Sequence, residues 1–135
     1  MRKISVLLAL SLLFLSGCSG EHVPTIEDYS WIMTSVQSMD ADGQVIAFGE
    51  RGNSTLASAK QVDLTCEAEN GNLTLTDQTN DKTYGGTYKL TQKDPQSSIY
   101  EVVVDGKEGM AVVAMTTYHD GSQDPTFIIN LGDYT

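Results

Sequence analysis

From residue 30 onward, apolar and polar positions alternate in short runs separated by turn residues. Residues 30–38 (SWIMTSVQS) are rich in β-formers, with Trp31, Met33 and Val36 as core candidates. Asp40, Asp42 and Gly43 suit a turn with positive φ, residues 44–48 return as a short strand, and the polar residues 50–55 read as a loop. In residues 58–67 the alternation puts Val62, Leu64 and Cys66 on one face. Asn70-Gly71 then gives a strong hairpin signal before the half-buried strand 73–76. After a turn over 77–82, residues 83–92 carry Tyr84, Tyr88 and Leu90, and Gly85-Gly86 suggests a bulge or sharp bend. Past a loop at 93–96, residues 98–104 place Tyr100, Val102 and Val104 on one face and close at Asp105-Gly106. Residues 109–118 are apolar on both faces, which predicts a central strand covered on both sides. A turn at 119–122 leads to a last strand, 125–131, with Phe127, Ile129 and Leu131.

The fold class that follows is all-β. No helical period of useful length is present after Cys18. About eight short strands joined mostly by hairpin-length turns predict an antiparallel up-and-down meander. Closure into a barrel would remove both sheet edges, and a two-sheet β-sandwich is the alternative.

The N-terminus has a different pattern. Arg2 and Lys3 precede residues 4–15, which are apolar except for Ser5 and Ser11. That run is too short to span a bilayer comfortably and no stop-transfer charges follow it, so residues 1–17 read as a signal peptide. Leu15-Ser16-Gly17-Cys18 resembles the lipobox of bacterial lipoproteins: an aliphatic residue, two small residues, and the cysteine that takes the lipid. The resemblance implies a diacylglycerol thioether on Cys18, further fatty acylation such as palmitate, and an extracytoplasmic place on the bacterial cell membrane. Two acyl chains give stable anchoring where one is marginal. Residues 18–29 are then a lipidated, flexible tether, polar and interrupted by Pro24, and residues 30–135 are the β domain.

Charge and cysteine usage narrow the function classes. The net charge is −10, and loss of Arg2 and Lys3 with the leader makes it −12. Such a chain has no basic face for nucleic acid and is repelled by anionic lipid headgroups, so membrane contact falls to the anchor. Acidic surfaces also keep exported proteins soluble. With Cys18 lipidated, Cys66 stands alone and no intrachain disulfide can form; on its strand face it reads as a small core residue. Phosphate-binding glycine loops, zinc-ligand spacings and nucleophile elbows are absent from the sequence. The two histidines, His22 and His119, fall in the tether and a turn, and Asp40 with Asp42 lacks the remaining ligands of a calcium loop. The expectation is a non-enzymatic monomer with no cofactor and no metal.

A tryptophan on the first strand of such a meander, behind a signal peptide, resembles the lipocalin-like group of small bacterial lipoproteins. The stretches Asn72-Leu73-Thr74-Leu75-Thr76-Asp77, Gly86-Thr87-Tyr88-Lys89 and Pro125-Thr126-Phe127-Ile128-Ile129 share the cadence of those domains. Tyr29 stands where lipocalins carry a glycine two residues before the tryptophan. The resemblance implies a barrel whose interior takes a small, mainly hydrophobic ligand. The candidate lining is Trp31, Met33, Tyr88, Tyr100, Val102, Met110, Val112, Phe127 and Ile129, an aromatic and methionine-rich set. The same residues also describe a solid core, in which case the domain is a non-catalytic module that acts through its surface on an envelope protein or the wall.

Overall fold

The computed structural model describes residues 23–132 and 134–135. The leader, Cys18 and residues 19–22 lie outside the described residues. The fold is all-β, with strands β1 (Trp31–Ile32), β2 (Ser35–Ser38), β3 (Gln44–Phe48), β4 (Lys60–Gln61), β5 (Leu64–Glu69), β6 (Asn72–Asp77), β7 (Lys82–Lys93), β8 (Ser97–Val104), β9 (Lys107–Thr117) and β10 (Gln123–Asn130). Seven of them form one antiparallel sheet in the order β1-β5-β6-β7-β8-β9-β10, which curls into a nearly closed barrel. A small second sheet, β2-β3-β4, includes a parallel pairing of β3 with β4.

From β5 to β10 the meander is the one the alternation predicts. Asn70-Gly71 and Asp105-Gly106 take φ of 51° and 83°, and of 51° and 78°, the double positive-φ geometry that joins two twisted strands in two residues. The pairing runs without a register shift through Gly85 and Gly86; the irregularity predicted there falls instead between Leu90 and Gln92. Gly86 serves a different end, since a Cβ at this position would collide with the Val103 carbonyl oxygen.

Residues 30–62 depart from the prediction. The expected strand 30–38 breaks in two. Met33 N–H donates to the Leu64 carbonyl at 2.9 Å, continuing β1 along β5, but the next carbonyl, Thr34, accepts from Gly49 N–H at 2.9 Å. The chain thereby leaves the large sheet for the small one. Gly49 permits this approach because any Cβ there would strike the Met33 carbonyl oxygen. The expected strand 58–67 breaks similarly, with Val62 N–H donating to the Phe48 carbonyl at 2.9 Å before β5 begins.

Inward-facing residues follow the register in rows across the sheet. One row is Trp31, Cys66, Leu75; another is Tyr100, Ala111, Ile129; a third is Ser98, Val113, Phe127. With Leu73, Val102 and Val104 these make a single buried cluster and its partly buried margin. β9 does lie between two strands, but its faces are not equivalent. Ala111 and Val113 are fully buried, whereas Met110 is 52% exposed and Val112 shares its outward parity.

The N-terminal boundary also moves. Pro24 and Ile26, assigned by composition to the tether, are fully buried. Ile26 N–H donates to Tyr100 Oη at 3.1 Å, Trp31 Nε1 donates to the Ile26 carbonyl at 2.9 Å, and Ser98 Oγ donates to the Pro24 carbonyl at 3.1 Å. The Tyr88 hydroxyl donates to the Glu27 carboxylate. The packed domain therefore begins by residue 24, and this segment plugs part of the interior that a lipocalin-like barrel would leave for a ligand. Burying an isoleucine side chain stabilises by about 1.5–3 kcal/mol, and the accompanying hydrogen bonds satisfy backbone groups that would otherwise be stranded.

Asp77 closes the turn between β6 and β7. Its Oδ1 accepts from Asn80 N–H at 2.9 Å and its Oδ2 from Asn80 Nδ2 at 2.8 Å. These bonds, the side-chain amide foremost, hold the carboxyl below its ordinary pKa of 3.8. The bonds stabilise the ionised form, so their contribution is full above the unfolded-state pKa and is lost as pH falls through the folded one. Urea midpoints at pH 7 and pH 3 should therefore differ more for the wild type than for Asp77→Asn; an equal difference would remove Asp77 from the acid response.

A cleft at the seam of the barrel

The two end strands of the large sheet, β1 and β10, do not pair with each other among the described residues. The chain end bridges one side of the gap. Leu131 N–H donates to the Tyr134 carbonyl at 2.9 Å, and Gln37 N–H donates to the Thr135 carbonyl at 2.7 Å, which ties β2 to the residues beyond β10. Aromatic packing fills part of the remaining gap: the Trp31 and Phe127 rings lie 5.1 Å apart, and Tyr29 meets the indole edge-on at 5.3 Å. What is left is a cleft of about 570 Å³, within the usual size range of small-molecule sites.

The backbone of β10 contributes to this seam. Tyr118 N–H donates to the Ser122 carbonyl, so every second pair from there carries the ladder bonds between β9 and β10. Phe127 and Ile129 fall on the intervening pairs, and their N–H and C=O groups point away from β9 toward the gap. Pro125, which has no N–H to offer, occupies another such position, as expected of proline on an edge strand.

Of the residues expected to line a ligand space, Trp31, Met33, Phe127 and Ile129 meet in this cleft. Tyr88, Tyr100 and Val102 do not line it. Tyr100 and Val102 are buried, Tyr88 stacks edge-on to Tyr100 at 5.8 Å, and both tyrosine hydroxyls are engaged by the N-terminal segment. Met110 and Val112 sit on the outer wall, a correction to their expected interior place. The cleft also recruits Leu64, Cys66, Leu75 and Leu131, together with Ile32 and Ile128 at its rim. Alternation exposed Cys66 and the leucines as inward-facing, but nothing in their spacing separates a cleft wall from a core.

Cys66 is free and buried, and burial, with a smaller push from the Glu67 carboxylate, raises its thiol to about 11. The thiol is therefore neutral at physiological pH, and it forms part of the cleft wall. No group of three or more His, Cys, Asp or Glu side chains suited to a metal occurs among the described residues. Comparison with protein-family models, curated proteins and solved structures finds no match.

Proposed function

We propose that this chain is a membrane-anchored lipoprotein of the bacterial cell envelope whose barrel domain binds a small, mainly hydrophobic ligand in the cleft between β1 and β10. The leader and the Leu15-Ser16-Gly17-Cys18 stretch support the anchor. The single observation that carries the ligand reading is the cleft itself: about 570 Å³, walled by Trp31, Met33, Leu75, Phe127 and Ile129.

Trp31 is the sole tryptophan, so its emission reports on the cleft directly. Titration with a broad panel of small aromatic and alkyl compounds should give a saturable change for at least one class. No response across the panel would sink the ligand reading. For the anchor, Cys18→Ala is expected to abolish incorporation of labelled fatty acid and to move the protein from the membrane to the soluble fraction. A variant that still sediments with membranes would defeat the lipobox assignment.

The outer wall favours a second reading, a module that docks another envelope protein. Met110 and Ile128 are about half exposed there, and Val112 lies directly between Ile99 and Ile128 across three strands. Loss of all partner capture on Met110→Lys with Ile128→Lys, with ligand titration flat in the wild type, would favour it over the cleft.

A further inference from the structure

Resting on the ligand reading above, we infer that the cleft selects an uncharged single-chain amphiphile, a hydrocarbon tail with a hydroxyl head, over the carboxylate of the same length. None of the six basic side chains of the described residues, Arg51, Lys60, Lys82, Lys89, Lys93 and Lys107, lines the cleft. Among the described residues no Asp, Glu or His lines it either, although charged residues make up 19% of the chain. A carboxylate drawn into this space would lose water and find no cation, an expensive form of burial. The protein's own negative charge adds a longer-range repulsion.

The polar groups that do reach the cleft suit a neutral head. Thr34, Ser35, Thr65, Thr116 and Thr126 are among the lining residues, and the Thr126 hydroxyl lies 3.1 Å from that of Thr116 and donates to the Ala114 carbonyl. A hydroxyl both donates and accepts, as does the alternating N–H and C=O edge at Phe127 and Ile129. An ionised carboxylate only accepts: it can use the Phe127 and Ile129 N–H groups but leaves the Pro125, Phe127 and Ile129 carbonyls unmatched, whereas a hydroxyl serves both. The tail would lie against Trp31, Met33, Leu75 and Ile129.

The test titrates the full chain at pH 8 with 1-decanol and with decanoate, following Trp31 emission, in the wild type and in Ile128→Lys and Ile32→Lys. Both rim residues are more than half exposed, at 51% and 58%, so the added lysine leaves the core intact. The wild type is expected to bind decanol at least tenfold more tightly than decanoate. Either lysine should shrink that ratio several-fold by giving the carboxylate a partner, which separates a missing cation from a general preference for apolar probes. Equal or tighter binding of decanoate by the wild type, or a ratio unmoved by both lysines, overturns the inference and leaves the ligand reading intact. Binding of neither probe, in a protein that also ignores the wider panel, removes the ligand reading itself and this inference with it.

Discussion

Ile26→Ala is expected to lower the unfolding free energy by about 2–5 kcal/mol, measured as a shift in the urea midpoint with an unchanged slope. A residue on a flexible tether would give no shift at all. Ile26 is fully buried, its amide is bonded to Tyr100 Oη, and its carbonyl receives the Trp31 indole N–H. Truncation removes its side chain from an interior that can collapse only so far, because Tyr100 and Trp31 are themselves held by the same segment. Glu27→Ala provides the internal control. Its carboxylate is exposed and engages only the Tyr88 hydroxyl, so the effect should stay below about 1 kcal/mol. If Ile26→Ala shifts the midpoint no more than Glu27→Ala, residues 24–28 are not part of the folded unit.

Trp31→Ala should be equally severe, about 3–5 kcal/mol, since the indole is 9% exposed and packs on both Tyr29 and Phe127. Trp31→Phe separates packing from hydrogen bonding. It keeps most of the apolar contact but leaves the Ile26 carbonyl without its donor, at about 1–3 kcal/mol. The two sites share one bond, so the double variant Ile26→Ala with Trp31→Phe should destabilise by a different amount from the sum of the singles. Strict additivity would mean that the segment and the cleft wall are energetically independent.

The readable and unreadable parts of this chain differ for physical reasons. The hairpins at Asn70-Gly71 and Asp105-Gly106 were visible because their backbone geometry demands particular residues, and they fix the pairing of β5 with β6 and of β8 with β9. The break after Met33 was not visible, because β-formers continue to Val36 and the interruption is made by Gly49, a residue distant in sequence. Ile26 is a lone apolar residue between Thr25 and Glu27 and has no period to betray it. On β9, period-two alternation offers two apolar faces and cannot choose between them. The two carry the same residue types, Met110, Val112 and Ala114 against Ala111, Val113 and Met115, and the register that sets Ala111 between Tyr100 and Ile129 leaves Met110 and Val112 outside. Four cleft residues, Trp31, Met33, Phe127 and Ile129, were legible as an apolar set; that they meet at an open seam depends on how far the sheet fails to close.

The buried N-terminal segment also sets an order of events. Its bonds join residues 74 positions apart, Pro24 to Ser98 and Ile26 to Tyr100. A nascent chain thus makes the plug first and its socket several seconds later, at about 5–20 residues per second. Until β7 and β8 have paired, Ile26 has nowhere to go, and the interior it will fill stands open. Docking of this segment is consequently a late step in folding, with the large loop-closure entropy and millisecond-to-second rates of non-local β topologies. Its release, conversely, can precede the loss of the sheet, giving the barrel a sub-global opening at its N-terminal end.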